Sequence, residues 1–233
     1  LEGNALAIEL AAARAWALSV REIRERLTER FAILRTSHPD APPRHAALRA
    51  TIAWSWALLD PLLREVLADL TVFRGGFTVA GAEAVLGPRT PPALDVLEVL
   101  RDHSLLYERP SPIPEQRPRL HLYDAVREFV EETMGTRPQA EHRHASWLQK
   151  FADGAGRQFP PEVEVEAANL VVAFERMRGG DSELVATLLL AHHRCHSLRR
   201  DPRTFRARLD EVLAGGLLPE TRGELLLRRA VLY

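Results

Sequence analysis

The sequence predicts a mainly α fold: a helical subdomain plus a winged helix with a two-stranded wing, followed by an α-solenoid arm. Three observations predict it. Apolar residues recur at helical spacing along the chain, with Gly and Pro marking the breaks. Two short runs, 105–109 and 119–123, read as strands, and the proline-rich PSPIPEQRP lies between them. Beyond residue 136 the pattern is helical only, with short Gly or Pro turns of the kind that join stacked antiparallel helices. The predicted boundaries are 1–36 for the end of the helical subdomain and 37–44 for a linker. The winged helix then takes 45–136 and the helical arm 137–233.

Each element has a local reason. Ala5 to Trp16 is apolar nearly all round, which predicts a buried helix. Ser19-Val20-Arg21-Glu22 is a capping box opening a helix to about Leu34, with Ile23, Leu27 and Phe31 on one face. Ser37 to Pro43 reads as a linker, because its prolines remove donors and force extended backbone. His45 to Leu59 carries an apolar stripe of Leu48, Ile52, Trp56 and Leu59. Trp54 and Trp56 are two apart, so one is expected in the core and the other exposed or at a domain contact. Asp60-Pro61 is an N-cap with proline at N1. Gly75-Gly76 is a turn, Thr78 caps a short helix ending near Gly87, and Pro91-Pro92 starts the next. Asp124 is expected to cap a helix over Ala125–Met134 that Gly135 ends. The arm's helices are predicted over 142–158, 162–177, 181–198, 201–214 and from Pro219 onward.

Composition excludes several function classes. Net charge is −1, so no global field favours nucleic acid or an acidic membrane surface. No apolar run reaches the roughly 18 residues of a membrane span. The first residues carry acids and no basic stretch, unlike a signal peptide. The single Cys195 rules out an internal disulfide and suits a reducing, cytoplasmic setting. Lys150 is the only lysine and stands in WLQKFAD without the glycines of a P-loop, so this chain cannot cradle a triphosphate by that motif. No Gly-x-Ser-x-Gly elbow supports hydrolase chemistry.

Four stretches together resemble the C-terminal part of a STAND-class regulatory ATPase, of the bacterial NB-ARC/AP-ATPase-like transcriptional regulators. They are GNALAIELAAAR at 3–14, LRATIAWSWALLDP at 48–61, LTVFRGGFTVAGAEAV at 70–85 and RLHLYDAVREFVEE at 119–132. The resemblance covers about residues 3–134; the later helices resemble a tetratricopeptide-like arm. It implies a fragment without Walker motifs, itself no enzyme, that closes over ADP or ATP bound by an upstream P-loop domain. It implies protein partners for the arm, DNA contact only through a separate domain, and no membrane. It also places Ala5 and Leu6 at the segment that touches the adenine, with Ala5 where the family has proline. Tyr123 stands where the family has histidine near the β-phosphate.

Other constellations weigh less. His192, Cys195 and His196 share a helix face with zinc-suited ligand types, but a fourth ligand at finger spacing is missing, and a packed or solvated helix explains them. Arg199, Arg200, Arg203, Arg206 and Arg208 could meet phosphate, yet the interleaved Asp201 and Asp210 favour a solvated face. The alternative function is a winged-helix DNA binder. In Ala93–His103, Arg101 is set against Asp95, Glu98 and Asp102; in the wing, Arg109, Arg117 and Arg119 are set against Glu108 and Glu115. That balance disfavours it.

Overall fold

The computed structural model describes residues 5–15, 17–26, 43–89, 91–154, 161–195 and 202–231. It is mainly helical, with one small antiparallel sheet of two strands. The elements are α1 (Ala5–Ala12), α2 (helical residues 20–26), α3 (Pro43–Leu58), α4 (Pro61–Leu70), α5 (Val79–Leu86) and α6 (Ala93–Asp102). The strands β1 (Leu106–Arg109) and β2 (Arg119–Leu122) follow, then α7 (Asp124–Met134) and α8 (Pro138–Gly154). The last are α9 (Pro161–Val165), α10 (Ala167–Met177), α11 (Ser182–Cys195), α12 (Pro202–Leu213) and α13 (Pro219–Val231). Residues 37–42 of the predicted linker, with Leu27, Phe31, His196, Arg199, Arg200 and Asp201, lie outside the described residues, whereas 43–44, expected in the linker, already belong to α3, because Pro43 suits the first turn of a helix.

The chain divides into two compact units. The first comprises 1–71, 88–109 and 120–136. Here α3 packs on α1 and α7, α4 packs on α6 and α7, and α6 meets β1. Local chemistry sets the starts. The Ser19 Oγ accepts from the Glu22 N–H at 3.3 Å while the Glu22 carboxylate accepts from the Ser19 N–H at 2.8 Å, the reciprocal capping box. Asp60 Oδ1 accepts from the Leu63 N–H at 2.8 Å, with Pro61 at N1. Three expectations need correction. Helix α1 is shorter than predicted and only partly buried: Ala7, Leu10 and Ala11 face inward while Ile8 and Glu9 are exposed. Both Trp54 and Trp56 are buried, at 3% and 9% exposure. Helix α3 has neighbours on two sides: Trp54 joins Ala11 and Ile23, and Trp56 meets Phe129 of α7 edge-on at 6.1 Å. Finally, Tyr123 is the N-cap of α7 and makes no side-chain cap; Asp124 is the first helical residue and its carboxylate takes Arg127 Nη1 at 2.5 Å.

The second unit comprises 72–87, 110–119 and 137–233. Its core is a continuous cluster from α8, α10, α11, α12 and α13, including Leu148, Leu170, Phe174, Leu188, Leu209 and Leu225. Helix α5, capped by Thr78 Oγ1 on the Gly81 N–H at 3.1 Å, lies on α8. Gly81 permits this: a Cβ there would stand 3.1 Å from the Trp147 ring. The FRGG turn is clasped by α10. Asn169 Oδ1 accepts from the Arg74 and Gly75 N–H groups at 2.7 and 3.1 Å, and Asn169 Nδ2 donates to the Gly76 carbonyl at 2.9 Å. Gly76 sits at φ +72°, which a side chain resists. The helix predicted over 162–177 is broken at Glu166. That residue's carboxylate is held by Arg119 Nη1 at 2.6 Å and by Asn169 Nδ2 at 2.6 Å. At the other end of the unit, Asp181 Oδ1 accepts from the Glu183 N–H at 2.9 Å and caps α11.

Candidate functional site

Tyr123 stands at the corner where β2 hands over to α7. Strand alternation puts Tyr107 and Arg109 of β1 on the same face of the ladder as His121 and Tyr123. The rings follow from that register. Tyr107 stacks on His121 at 5.4 Å and meets Tyr123 in a tilted contact at 4.4 Å, and the Arg109 guanidinium lies 5.2 Å from the Tyr107 ring centre. From the other end of the first unit, α1 brings Glu9, whose carboxylate accepts from the Tyr123 hydroxyl at 2.9 Å across 114 residues. Burial, then the hydrogen bond and negative charge of Glu9, push the Tyr123 phenol up to about 12. Tyr123 is therefore a neutral donor at every working pH. The corner holds a donor, a carboxylate acceptor and stacked rings, which can recognise a ligand or fasten a helix.

Of the other sequence-predicted site residues, Ala5 is exposed one helical turn before Glu9, and Leu6 is half-buried. The structure thus brings the helix carrying Ala5 and Leu6 together with Tyr123, through Glu9. Sequence spacing places Glu9 one helical turn after Ala5 but does not connect it to Tyr123; that contact, across 114 residues, is made by the fold.

Three of the basic residues considered for nucleic acid, Arg101, Arg119 and Arg208, have acidic partners within the chain. Arg101 pairs with Glu108 at 3.2 Å. Arg119 is only 6% exposed, pairing with Glu166 and donating to the Gly76 carbonyl at 2.9 Å. It is a buried structural cation, not a wing-tip contact. Arg208, expected on a solvated face, is half-buried over the Phe174 ring and pairs with Glu175. His192 is buried, and Cys195 Sγ lies 3.3 Å from the Val163 carbonyl. No group of three metal-ligating side chains occurs among the described residues. No described helix is long and apolar enough to cross a membrane.

The chain is similar to a Mycobacterium tuberculosis protein named "Putative HTH-type transcriptional regulator", with 33% identity over 186 residues. The match covers 75% of this chain and 21% of the relative, and a Mycobacterium bovis protein of the same name matches identically. An uncharacterized M. tuberculosis protein is 46% identical over 85 residues, covering 36% of this chain and 22% of its own length. The chain therefore spans about a fifth of the curated relatives it matches. No family model and no solved structure matches it.

Proposed function

We propose that this chain is the regulatory portion of a nucleotide-gated signal-transduction ATPase of the STAND class, serving as a bacterial transcriptional regulator in the cytoplasm. Residues 45–136 act as a winged helix that closes over ADP or ATP held by a P-loop domain upstream. Residues 137–233 act as a tetratricopeptide-like arm that takes protein partners. The chain itself hydrolyses nothing, and DNA contact belongs to a separate domain. One observation carries the reading: the Tyr123–Glu9 hydrogen bond joins two of the four stretches that bear the resemblance. The regulator named among the similar proteins supports the transcriptional part.

On this reading an ADP phosphate reaches Tyr123 only if Glu9 yields, since both are anionic acceptors competing for one hydroxyl. ADP affinity of the full-length protein is the test. Glu9→Gln removes the competing charge and is expected to tighten ADP. Tyr123→His supplies a cationic donor below about pH 6.5. A charged hydrogen bond exceeds a neutral one by about 1–2 kcal/mol, so that variant is expected to gain roughly 5–30-fold, fading as pH rises. Unchanged ADP affinity in both variants would refute the nucleotide reading. The second reading, a DNA-binding winged helix, is favoured by the helix-turn-helix name of the regulator it matches. It would be supported by a mobility shift that survives competitor DNA and is lost in Arg117→Gln.

A further inference from the structure

Within the second unit, α11 floors a cleft of about 230 Å³ that has the end of α8 on one side and the start of α13 on the other. Helix α11 packs on both of these helices. Local sequence makes the space. Thr187, Leu190 and Ala191 recur at i, i+3 and i+4 on one face of α11, and Ala152 of α8 and Ala191 are too short to fill the gap above it. Leu190, Ala191 and Ala152 are buried, so the floor is apolar. The volume falls below the roughly 300–1,000 Å³ of small-molecule pockets and suits one inserted side chain.

Every polar side chain lining the cleft is left as an acceptor. Asp153 of α8 and Glu220 of α13 are exposed at its mouth and have no partner among the described residues. Glu224 stands beside Glu220, one turn along α13, and its nearest cation, Arg228, is 3.8 Å away outside the cleft. The two hydroxyls have turned their protons inward: Thr187 Oγ1 donates to the Glu183 carbonyl at 3.0 Å, and Thr221 Oγ1 to the Glu183 carboxylate at 2.7 Å. What they offer the cleft is lone pairs. Asp153 also lies in the last turn of α8, which holds no basic residue, so its charge adds to the negative end of that helix. No lysine or arginine lines the cleft. The carboxylates do not converge on one point, since no group of three metal-ligating side chains occurs among the described residues. An elongated organic cation with several donors fits this arrangement, and a metal ion does not.

We propose that the cleft between α8, α11 and α13 docks a basic segment of a partner protein by taking one of its arginine side chains. The aliphatic stem lies on Leu190 and Ala191, as long cationic side chains cover apolar surface. The guanidinium, with five donors and no acceptor, reaches Asp153 and Glu220. This inference rests on the reading of 137–233 as a partner-binding arm and names the partner's chemistry.

The probe is a short capped peptide with one arginine flanked by leucines, titrated into the whole chain and followed on the methyl resonances of Thr187, Leu190 and Ala191. Companion peptides carry lysine or neutral glutamine in place of that arginine, and arginine amide is titrated alone. The arginine peptide is expected to give saturable shifts at these methyls. The lysine peptide should bind about threefold more weakly and the glutamine peptide about tenfold more weakly. Asp153→Asn and Glu220→Gln alter exposed side chains; each is expected to raise Kd about threefold and the pair about tenfold. A glutamine peptide that binds as tightly as the arginine peptide, or an unchanged Kd in the double variant, overturns the proposal. Equal affinity for arginine amide assigns the cleft to a small cation, and shifts that grow with protein concentration without peptide assign it to a second copy of this chain; either result overturns the partner-protein claim. Saturable shifts confined to other residues of 137–233 overturn the cleft but leave the arm as a protein-binding surface, whereas no saturable shift anywhere in 137–233 overturns both.

Discussion

His144 presents the sharpest stability prediction. It lies on the inner face of α8, fully buried, with both ring nitrogens lacking a partner among the described residues. Phe73 meets the ring edge-on at 4.7 Å, and Trp147 lies parallel at 6.5 Å. Burial, then the charges of Arg176 and Arg74, hold its pKa down to about 3. In an unfolded chain a histidine titrates near 6.5. The native state therefore binds fewer protons than the unfolded state everywhere between these values, and stability rises with pH there. The contribution is intact above about pH 6.5 and is lost progressively as pH falls toward 3. At pH 5 the penalty from this one residue is about 2 kcal/mol, and at pH 7.5 it is about zero. His144→Phe removes the titration and the unmade hydrogen bonds together. Its absolute stability depends on how the slightly larger ring repacks, but its pH slope does not. The assay is urea unfolding followed on the Trp147 indole resonance, at about pH 7.5 and about pH 5, for wild type and variant. The stability difference between the two pH values is expected to shrink by about 2 kcal/mol in the variant. An unchanged difference, or a wild-type His144 ring resonance that titrates near 6.5, would refute the reasoning.

Two further outcomes concern the clasp around the FRGG turn. Arg119→Met leaves the Glu166 carboxylate buried without its cation and is expected to cost about 3–5 kcal/mol; adding Glu166→Gln should recover part of that, measured by urea unfolding. Gly76→Ala places a side chain at φ +72° and is expected to cost about 1–2 kcal/mol, read as a shift in urea midpoint at constant slope.

The features legible in the sequence were those decided within a few residues. The capping box at Ser19, the caps at Asp60, Thr78 and Asp181, and the turn at Gly76 all use partners two to three positions away, or a local φ. The two strands likewise fell where their short runs and flanking prolines indicated. What escaped were contacts between distant positions. Helical spacing correctly put Trp54 and Trp56 on different faces; it could not reveal that α3 has neighbours on both sides. Glu166 sits inside a good helical pattern, and its ties to Arg119, 47 positions earlier, and to Asn169 could not be read from that pattern. Asp124 suits an N-cap by type, but Arg127 on the first turn takes its carboxylate, so Tyr123 occupies the cap instead. The corner at Tyr123 was half legible: the tyrosine was singled out, while Glu9 required the fold.

The committed arginines also bear on what the β1–β2 hairpin can do. A cation contributes to nucleic-acid affinity by releasing counterions, with log K falling by about 0.9 per phosphate neutralised for each unit of log salt. Arg119 can neutralise no phosphate without leaving Glu166, which exposes a buried carboxylate to several kcal/mol of uncompensated charge. Arg101 faces Glu108 on the surface, a weaker tie, yet that pair is neutral before any DNA arrives. Arg109 and Arg117 remain exposed, and Glu108 and Glu115 are exposed on the same short stretch of chain. The salt slope expected of the hairpin is then that of one or two phosphates. A reader that depends on six to ten such contacts draws on a far larger electrostatic term. The arginines here have been used to hold the FRGG turn and the α6–β1 corner in place.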